Sequence, residues 1–119
     1  MAEPREISTT DDVRACLEEP RAVLFKYGTH CPISAAARTQ LAQFVEKHPD
    51  AVVYQVAVDE HRDVSEFIAE KLGVPHQSPQ AFLVCAGDVT WQATHHSIQA
   101  RELASRWEQS AAGQTSERR

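Results

Sequence analysis

The chain has 119 residues with a formal net charge of −5; 42% of its residues are hydrophobic and 24% are charged. This size and composition predict one soluble globular domain and exclude a disordered, fibrous or multidomain organisation. The acidic balance and the lack of a Lys/Arg cluster argue against a nucleic-acid partner, and no apolar run is long enough to cross a bilayer. We therefore expect a cytoplasmic protein without a signal sequence or membrane partner, which binds small molecules or other proteins.

In chain order, the first half of the sequence predicts a helix, a strand and a longer helix. Hydroxyl side chains followed by acidic residues mark a helix start within residues 8–19. Residues 22–27 form a nearly continuous apolar run, as expected of a strand buried on both faces. An amphipathic helix is predicted from Pro32 to the residue before Pro49, because apolar residues recur at helical spacing between them.

The next part of the chain predicts a strand, a helix and a pair of strands. The valine-rich residues 51–58 suit a second interior strand. A helix over residues 63–73 is expected to end at Gly73 in a left-handed cap. Residues 81–86 and the alternating residues 89–93 are separated by a Gly-Asp turn, which predicts an antiparallel hairpin.

The last predicted helix buries Leu103 and Trp107 and is followed by a polar tail over residues 109–119, which we expect to be disordered. Residues 1–108 would then form the single domain. Strands that alternate with helices pair in parallel, whereas the hairpin adds an antiparallel edge. The predicted fold class is α/β, with a central mixed four-stranded sheet, helices on both faces and an extra N-terminal helix.

The candidate reactive group is Cys31, which lies between a predicted strand and the longest predicted helix, directly before Pro32. The free backbone N–H groups at a helix start favour a thiolate over a thiol. Helix-end effects of about 0.3–2 kcal/mol lower a thiol pKa from about 8.5 towards 7 at most. A buried structural thiol is the alternative, but the polar loop around this cysteine favours a nucleophile.

The other cysteines, Cys16 and Cys85, fall in apolar patterns and are expected to fill the core, although either remains a candidate resolving thiol. No Cys-x-x-Cys or zinc-type spacing occurs, which favours a reducing compartment over a disulfide scaffold. Ser34 stands where a dithiol oxidoreductase has its second cysteine. It is either an ordinary first-turn residue or a hydrogen-bond donor to the thiolate.

The histidines do not predict a metal site. His95 and His96 are adjacent rather than at ligand spacing, and His61 and His76 stand in loops without a ligand pattern. His30 differs, because an imidazolium next to the reactive cysteine would favour the thiolate; a solvated loop histidine is the alternative.

Two motifs carry a resemblance to a known family. Cys-Pro-Ile-Ser-Ala-Ala at residues 31–36 and Val-Pro-His-Gln-Ser-Pro-Gln-Ala at residues 74–81 resemble the monothiol bacilliredoxins of the thioredoxin superfamily. The resemblance implies a thioredoxin-like fold, with Cys31 as the catalytic nucleophile and Pro79 in the cis conformation. It also implies that Ser78 and Pro79 bind the disulfide-bearing substrate beside the thiol. The other predicted substrate-binding residues are Thr29, His30, Pro32 and Ser34.

The resemblance further implies a thiol–disulfide oxidoreductase that removes bacillithiol from protein mixed disulfides. Bacillithiol would be the co-substrate, with no tightly bound cofactor or metal. The expected partners are bacillithiolated proteins, bacillithiol and a bacillithiol disulfide reductase. Two alternatives stay open: a redox-sensing or thiol-storage module that is bacillithiolated without turnover, and an iron–sulfur cluster carrier like the monothiol glutaredoxins.

Overall fold

A computed structural model describes residues 3–117, and their side chains as far as residue 110. The elements are β1 (Arg5–Glu6), α1 (Thr10–Glu18), β2 (Arg21–Tyr27), α2 (Pro32–Lys47), β3 (Val53–Ala57), α3 (Arg62–Leu72), β4 (Gln80–Cys85), β5 (Asp88–Thr94), a 3₁₀ turn (His95–Ser97) and α4 (Ala100–Glu117). From α1 onwards, the predicted order of helices and strands is confirmed. No helix in this described part of the chain is long and apolar enough to span a membrane.

The sheet has five strands in the order β1-β3-β2-β4-β5, whereas four were predicted. It is mixed as predicted, because β2 pairs in parallel with β3 and antiparallel with β4. The additional strand, β1, pairs with β3 through Arg5 and Glu6, which are both exposed. Because both residues are exposed, the sequence shows no alternation of apolar and polar residues here, and the pattern did not predict this strand. It is anchored by Ile7, whose side chain is buried and whose N–H donates to the Gln55 carbonyl at 2.8 Å.

Helices cover both faces of the sheet, and β2 contributes to the core on each side. Alternate side chains of a strand point to opposite faces, so Phe25 packs with α2 and α4 while Leu24 packs with α1 and α3. This two-sided burial explains the continuous apolar run over residues 22–27. The large side chains that join Phe25 are Phe44, Leu83 and Trp107, and those that join Leu24 include Ile68 and Phe82.

Two helix ends follow directly from local sequence signals. Thr9 caps α1 by accepting a hydrogen bond from the Asp12 N–H at 3.2 Å, and the Asp12 carboxylate accepts one from the Thr9 N–H at 3.1 Å. This is the reciprocal capping arrangement that a hydroxyl residue followed by an acid favours. Gly73 ends α3 with a left-handed φ of 67°, as predicted.

The predicted domain boundary at residue 108 lies inside α4, which runs on to Glu117. Arg21 connects this part of the helix to the sheet, since its guanidinium donates to the Trp107 carbonyl and, at 2.9 Å, to Ser110 Oγ. The same guanidinium lies 3.7 Å from the centre of the Trp107 ring. Residues 118 and 119, and the side chains after residue 110, lie outside the described residues. Disorder of that end of the predicted tail stays a prediction.

Candidate active site

Cys31 lies at the tip of α2, just beyond the carboxyl end of β2. It is the N-cap residue, with extended backbone angles of −103° and 122°, and Pro32 takes the first helical position. The Cys31 carbonyl accepts from the Ala35 N–H at 3.0 Å, which closes the first turn of the helix. The thiol is free and partly exposed. This is the predicted position for a nucleophile at a helix N-terminus.

The first turn of α2 lowers the pKa of Cys31 below its ordinary value. The largest cause is a hydrogen bond from the backbone N–H of Ser34, followed by one from the N–H of Ile33. Desolvation acts in the opposite direction, and the Ser34 hydroxyl, the smallest of these causes, lowers the pKa further. Hydrogen bonds to the charged form stabilise the thiolate.

The buried Ser34 side chain also connects the two ends of the active-site loop. Its Oγ accepts a hydrogen bond from the Gly28 N–H at 2.9 Å, and the side chain has no exposed surface. The hydroxyl can therefore accept from the loop and donate to the thiolate at the same time. Both roles considered for Ser34 are therefore compatible: this first-turn residue stabilises the loop and also lowers the pKa of Cys31.

The cis-proline loop reaches the same corner of the molecule. A β-carbon built on Gly28 would lie 3.6 Å from Cys31 Cβ and 3.7 Å from the Oγ atoms of both Ser34 and Ser78. The Ser78–Pro79 peptide bond is cis, as the resemblance implied. Residues that are far apart in the sequence therefore line one site, with the thiol on one side and the Ser78 hydroxyl on the other.

Gln80 stabilises the cis-proline loop from inside the fold, and the sequence analysis did not identify it. Its side chain is 1% exposed. Its Oε1 accepts from the Gln77 N–H at 3.1 Å, and its Nε2 donates to the Pro75 carbonyl at 3.4 Å and to Gln92 Oε1 at 3.0 Å. The sequence feature that could have revealed this role is a glutamine at the start of a buried strand, directly after Ser-Pro.

Asp59 is a second residue that the sequence analysis missed. Its carboxylate accepts from the Thr29 N–H at 3.2 Å and from the Thr29 hydroxyl, and these bonds lower the pKa of Asp59. The exposed His30 also lowers that pKa through its charge, so it acts on Asp59. Since β2 and β3 are parallel, their carboxyl ends meet at one edge of the sheet. The sequence feature that could have revealed this contact is an acidic residue two positions after the end of β3.

Cys16 and Cys85 lie away from this site. Cys16 is 1% exposed, and burial raises its pKa to about 12, with a smaller contribution from Glu19. Cys85 pairs with Arg21, at the start of β2, whereas Cys31 follows the end of that strand. A seven-residue strand places the two thiols roughly 20 Å apart along the sheet. In the folded chain neither cysteine is positioned to resolve a disulfide at Cys31.

Lys26 is a buried charge that the sequence analysis also missed. Its ammonium group has no exposed surface and no hydrogen-bond partner among the described residues, and burial lowers its pKa to about 8. The side chain lies opposite Gln80 in the sheet. Its charge adds to the effect of burial in lowering the pKa of His76, which contacts Ser65 Oγ through Nδ1 at 3.0 Å. The sequence feature that could have revealed this buried charge is a single lysine inside the apolar run of β2.

The predicted site residues therefore separate into two groups. The structure brings Cys31, Ser34 and Ser78 together around Gly28, with Pro32 and Pro79 next to them in the chain. Thr29 instead donates to Asp59 in the loop after β3, and His30 acts on the pKa of that carboxylate. Within the described part of the chain, no three His, Cys, Asp or Glu side chains are grouped so that they could bind a metal ion.

Comparison with known proteins agrees with this geometry. A thioredoxin-fold protein of known structure, provisionally described as an oxidoreductase, is 33% identical with a TM-score of 0.81, over 86% of this chain and 91% of that chain. Thioredoxin from Trypanosoma brucei brucei is 10% identical over 92% of each chain, with a TM-score of 0.77. Oxidised thioredoxin from Plasmodium falciparum is 10% identical over 88% of this chain and 98% of that chain, with a TM-score of 0.72. The two thioredoxins show the shared fold.

The family described as monothiol bacilliredoxin BrxC matches residues 5–103. That range includes β1, all the strands of the sheet, the helix-tip cysteine and the cis-proline loop. The chain is therefore a thioredoxin-fold thiol oxidoreductase that belongs to the monothiol bacilliredoxin family.

Proposed function

We propose that the chain removes bacillithiol from protein mixed disulfides, with Cys31 as its nucleophile. The observation that supports this proposal is a partly exposed cysteine with a lowered pKa, whose neighbour three residues on is Ser34 rather than a second cysteine. A single thiol at a helix tip suffices for exchange with a mixed disulfide.

In the first step, the Cys31 thiolate attacks the bacillithiol sulfur of the mixed disulfide. A disulfide forms between Cys31 and bacillithiol, the disulfide of the target protein breaks, and the target sulfur leaves as a thiolate that takes a proton from water. One disulfide replaces another, so this step requires no external oxidant or reductant.

In the second step, a free bacillithiol thiolate attacks the bacillithiol sulfur bound to Cys31. Cys31 leaves as a thiolate, and bacillithiol disulfide is released. Its lowered pKa makes Cys31 a good leaving group here, because a thiol with a lower pKa leaves faster. We propose that a bacillithiol disulfide reductase in the cytoplasm then reduces the product.

Neither of the other cysteines is a suitable internal partner for this second step. Cys16 is buried, and Cys85 lies at the opposite end of β2. An external thiol is therefore the expected second nucleophile, which makes bacillithiol a co-substrate rather than a bound cofactor.

The test is turnover of a bacillithiolated model protein in the presence of bacillithiol, followed by intact-mass measurement of the released protein. Cys31→Ser should abolish release, whereas Cys85→Ser, the matched control at the other end of the sheet, should react like the wild type. Retained turnover in Cys31→Ser would contradict the proposal. One labelling event at Cys31 without further turnover would instead favour the sensing module. A coloured dimer after anaerobic reconstitution with iron, sulfide and bacillithiol would favour the cluster carrier.

A further inference from the structure

A cavity of about 360 Å³ lies between the first turns of α2 and the 3₁₀ turn after β5. Ile33, two residues after Cys31, forms part of its wall, so the cavity adjoins the reactive helix tip. Its volume is within the range of small-molecule pockets. The lining residues are Ile33, Ala36, Ala37, Gln40, His95, His96, Ile98 and Gln99.

The lining combines an apolar base with polar side chains at the rim. Ala37 and Ile98 are each 2% exposed and form the base. His95, His96 and Gln99 contribute imidazole and amide groups, and no lining residue is a carboxylate. In a protein with a net charge of −5, a rim that carries donors and no acid is suited to a ligand with carboxylate groups.

The histidine rim is connected to the catalytic site by the backbone. The His95 N–H donates to the Pro79 carbonyl at 3.0 Å, and the His95 carbonyl accepts from the Ile98 N–H at 3.2 Å. His95 itself has a left-handed φ of 53°, which is uncommon for a residue other than glycine. The buried Ile98 and the cis-proline loop therefore set the position of the rim relative to the disulfide.

We propose that this cavity binds the carboxylate-bearing part of bacillithiol while the bacillithiol sulfur is bonded to Cys31. The carboxylates of bacillithiol accept hydrogen bonds from His95 and His96, and its carbon skeleton contacts Ile33. The occupant is the small thiol rather than the target protein, because the wall begins two residues from Cys31 and, after the proposed first step, bacillithiol is bonded to Cys31 whereas the target protein has left. This inference rests on the proposed function and adds a determinant of substrate specificity.

The test compares two substrates that differ only in the small thiol. One target protein is prepared with bacillithiol, and separately with mercaptoethanol, on the same cysteine. His95→Gly combined with His96→Ala removes both imidazoles, and glycine adopts the left-handed φ freely. The variant should lose about a hundredfold in kcat/KM on the bacillithiol adduct, the effect of two lost charge-assisted hydrogen bonds at about tenfold each, and less than about twofold on the mercaptoethanol adduct.

His48→Ala, at the far end of α2, is the matched control and should change neither rate. An equal loss on both adducts would overturn the inference and assign the rim to the target protein or to folding. Unchanged rates on both adducts would overturn it as well. His96→Ala alone changes an exposed side chain, so it folds even if the double variant does not, and it should show the same selective loss in a smaller amount. A wild type that prefers the mercaptoethanol adduct would contradict the proposed function itself.

Discussion

The Asp59 carboxylate accepts hydrogen bonds from both the backbone N–H and the hydroxyl of Thr29, although 30 positions separate these residues in the sequence. Thr29 stands two residues before Cys31, in the loop that leads into α2. The end of β3 thereby restrains the loop that presents the thiol. The position of the nucleophile depends on a residue in another strand connection.

Removal of this restraint should slow exchange without unfolding the protein. Asp59→Ala loses both acceptors, so we expect a decrease of about tenfold in the single-turnover rate with a bacillithiolated protein. Asp59→Asn keeps an oxygen that can accept from the Thr29 N–H and should lose less. Asp50→Ala, an exposed acid at the other end of β3, is the control. An unchanged rate in Asp59→Ala would show that the loop is positioned without this contact.

Ser34→Ala should raise the pKa of Cys31 and reduce stability. The substitution removes the hydroxyl that lowers the pKa of Cys31 and the acceptor of the Gly28 N–H. Alkylation with iodoacetamide should rise with pH at a lower midpoint in the wild type than in the variant. The free energy of unfolding should fall by about 1–3 kcal/mol, because a polar group loses its buried partner.

Thr39→Ala provides the matched control for Ser34, since its hydroxyl lies on the same helix and donates to the Ala35 carbonyl. This change should not alter the pH midpoint of alkylation. Identical midpoints for the wild type and Ser34→Ala would mean that the backbone N–H groups of Ser34 and Ile33 alone account for the lowered pKa of Cys31.

Lys26→Met should stabilise the protein at neutral pH. Burial lowers the pKa of Lys26 from its ordinary 10.5 to about 8. Below pH 8 both the native and the unfolded chain carry the charge, and the native state bears the full cost of burying it. Between about pH 8 and 10.5 the unfolded chain binds more protons, so the contribution of Lys26 to stability rises with pH. The variant should gain at most about 3 kcal/mol at pH 7.

The measurement is chemical denaturation of the wild type and Lys26→Met at several pH values. The difference between them should shrink as the pH rises from 8 to 10.5. Lys47→Met, an exposed change at the end of α2, controls for loss of net charge and should show no such trend. A wild type that is more stable than Lys26→Met at pH 7 would indicate that the ammonium group has a partner in solution.

Oxidation with bacillithiol disulfide at pH 8 should add one bacillithiol per chain, at Cys31. The lowered pKa of this thiol and its exposure favour its reaction, whereas the pKa of Cys16 is raised to about 12 by burial. Intact-mass analysis followed by peptide mapping measures the number and position of adducts. An internal disulfide between Cys31 and either other cysteine would require the folded chain to open and would contradict the monothiol mechanism.

The sequence by itself was sufficient for the features that depend on neighbouring residues. Local signals predicted the apolar run of β2 and the helical spacing along α2. They also predicted a hydroxyl cap before α1 and the left-handed Gly73. Pro32 after Cys31 marked a helix start, and the missing backbone partners there indicated a reactive thiol. These predictions hold because helix periodicity, strand burial and capping act over a few residues.

Only the tertiary structure decided which distant residues meet. The two-residue strand β1 exists because β3 offers an unpaired edge, and its own sequence shows no pattern. Asp59 reaches Thr29, and Gln80 reaches the cis-proline loop, because the strand order places their side chains there. Pairing between strands depends on contacts across the whole chain, so the thiol was predictable from its neighbours, whereas the site around it required the sheet.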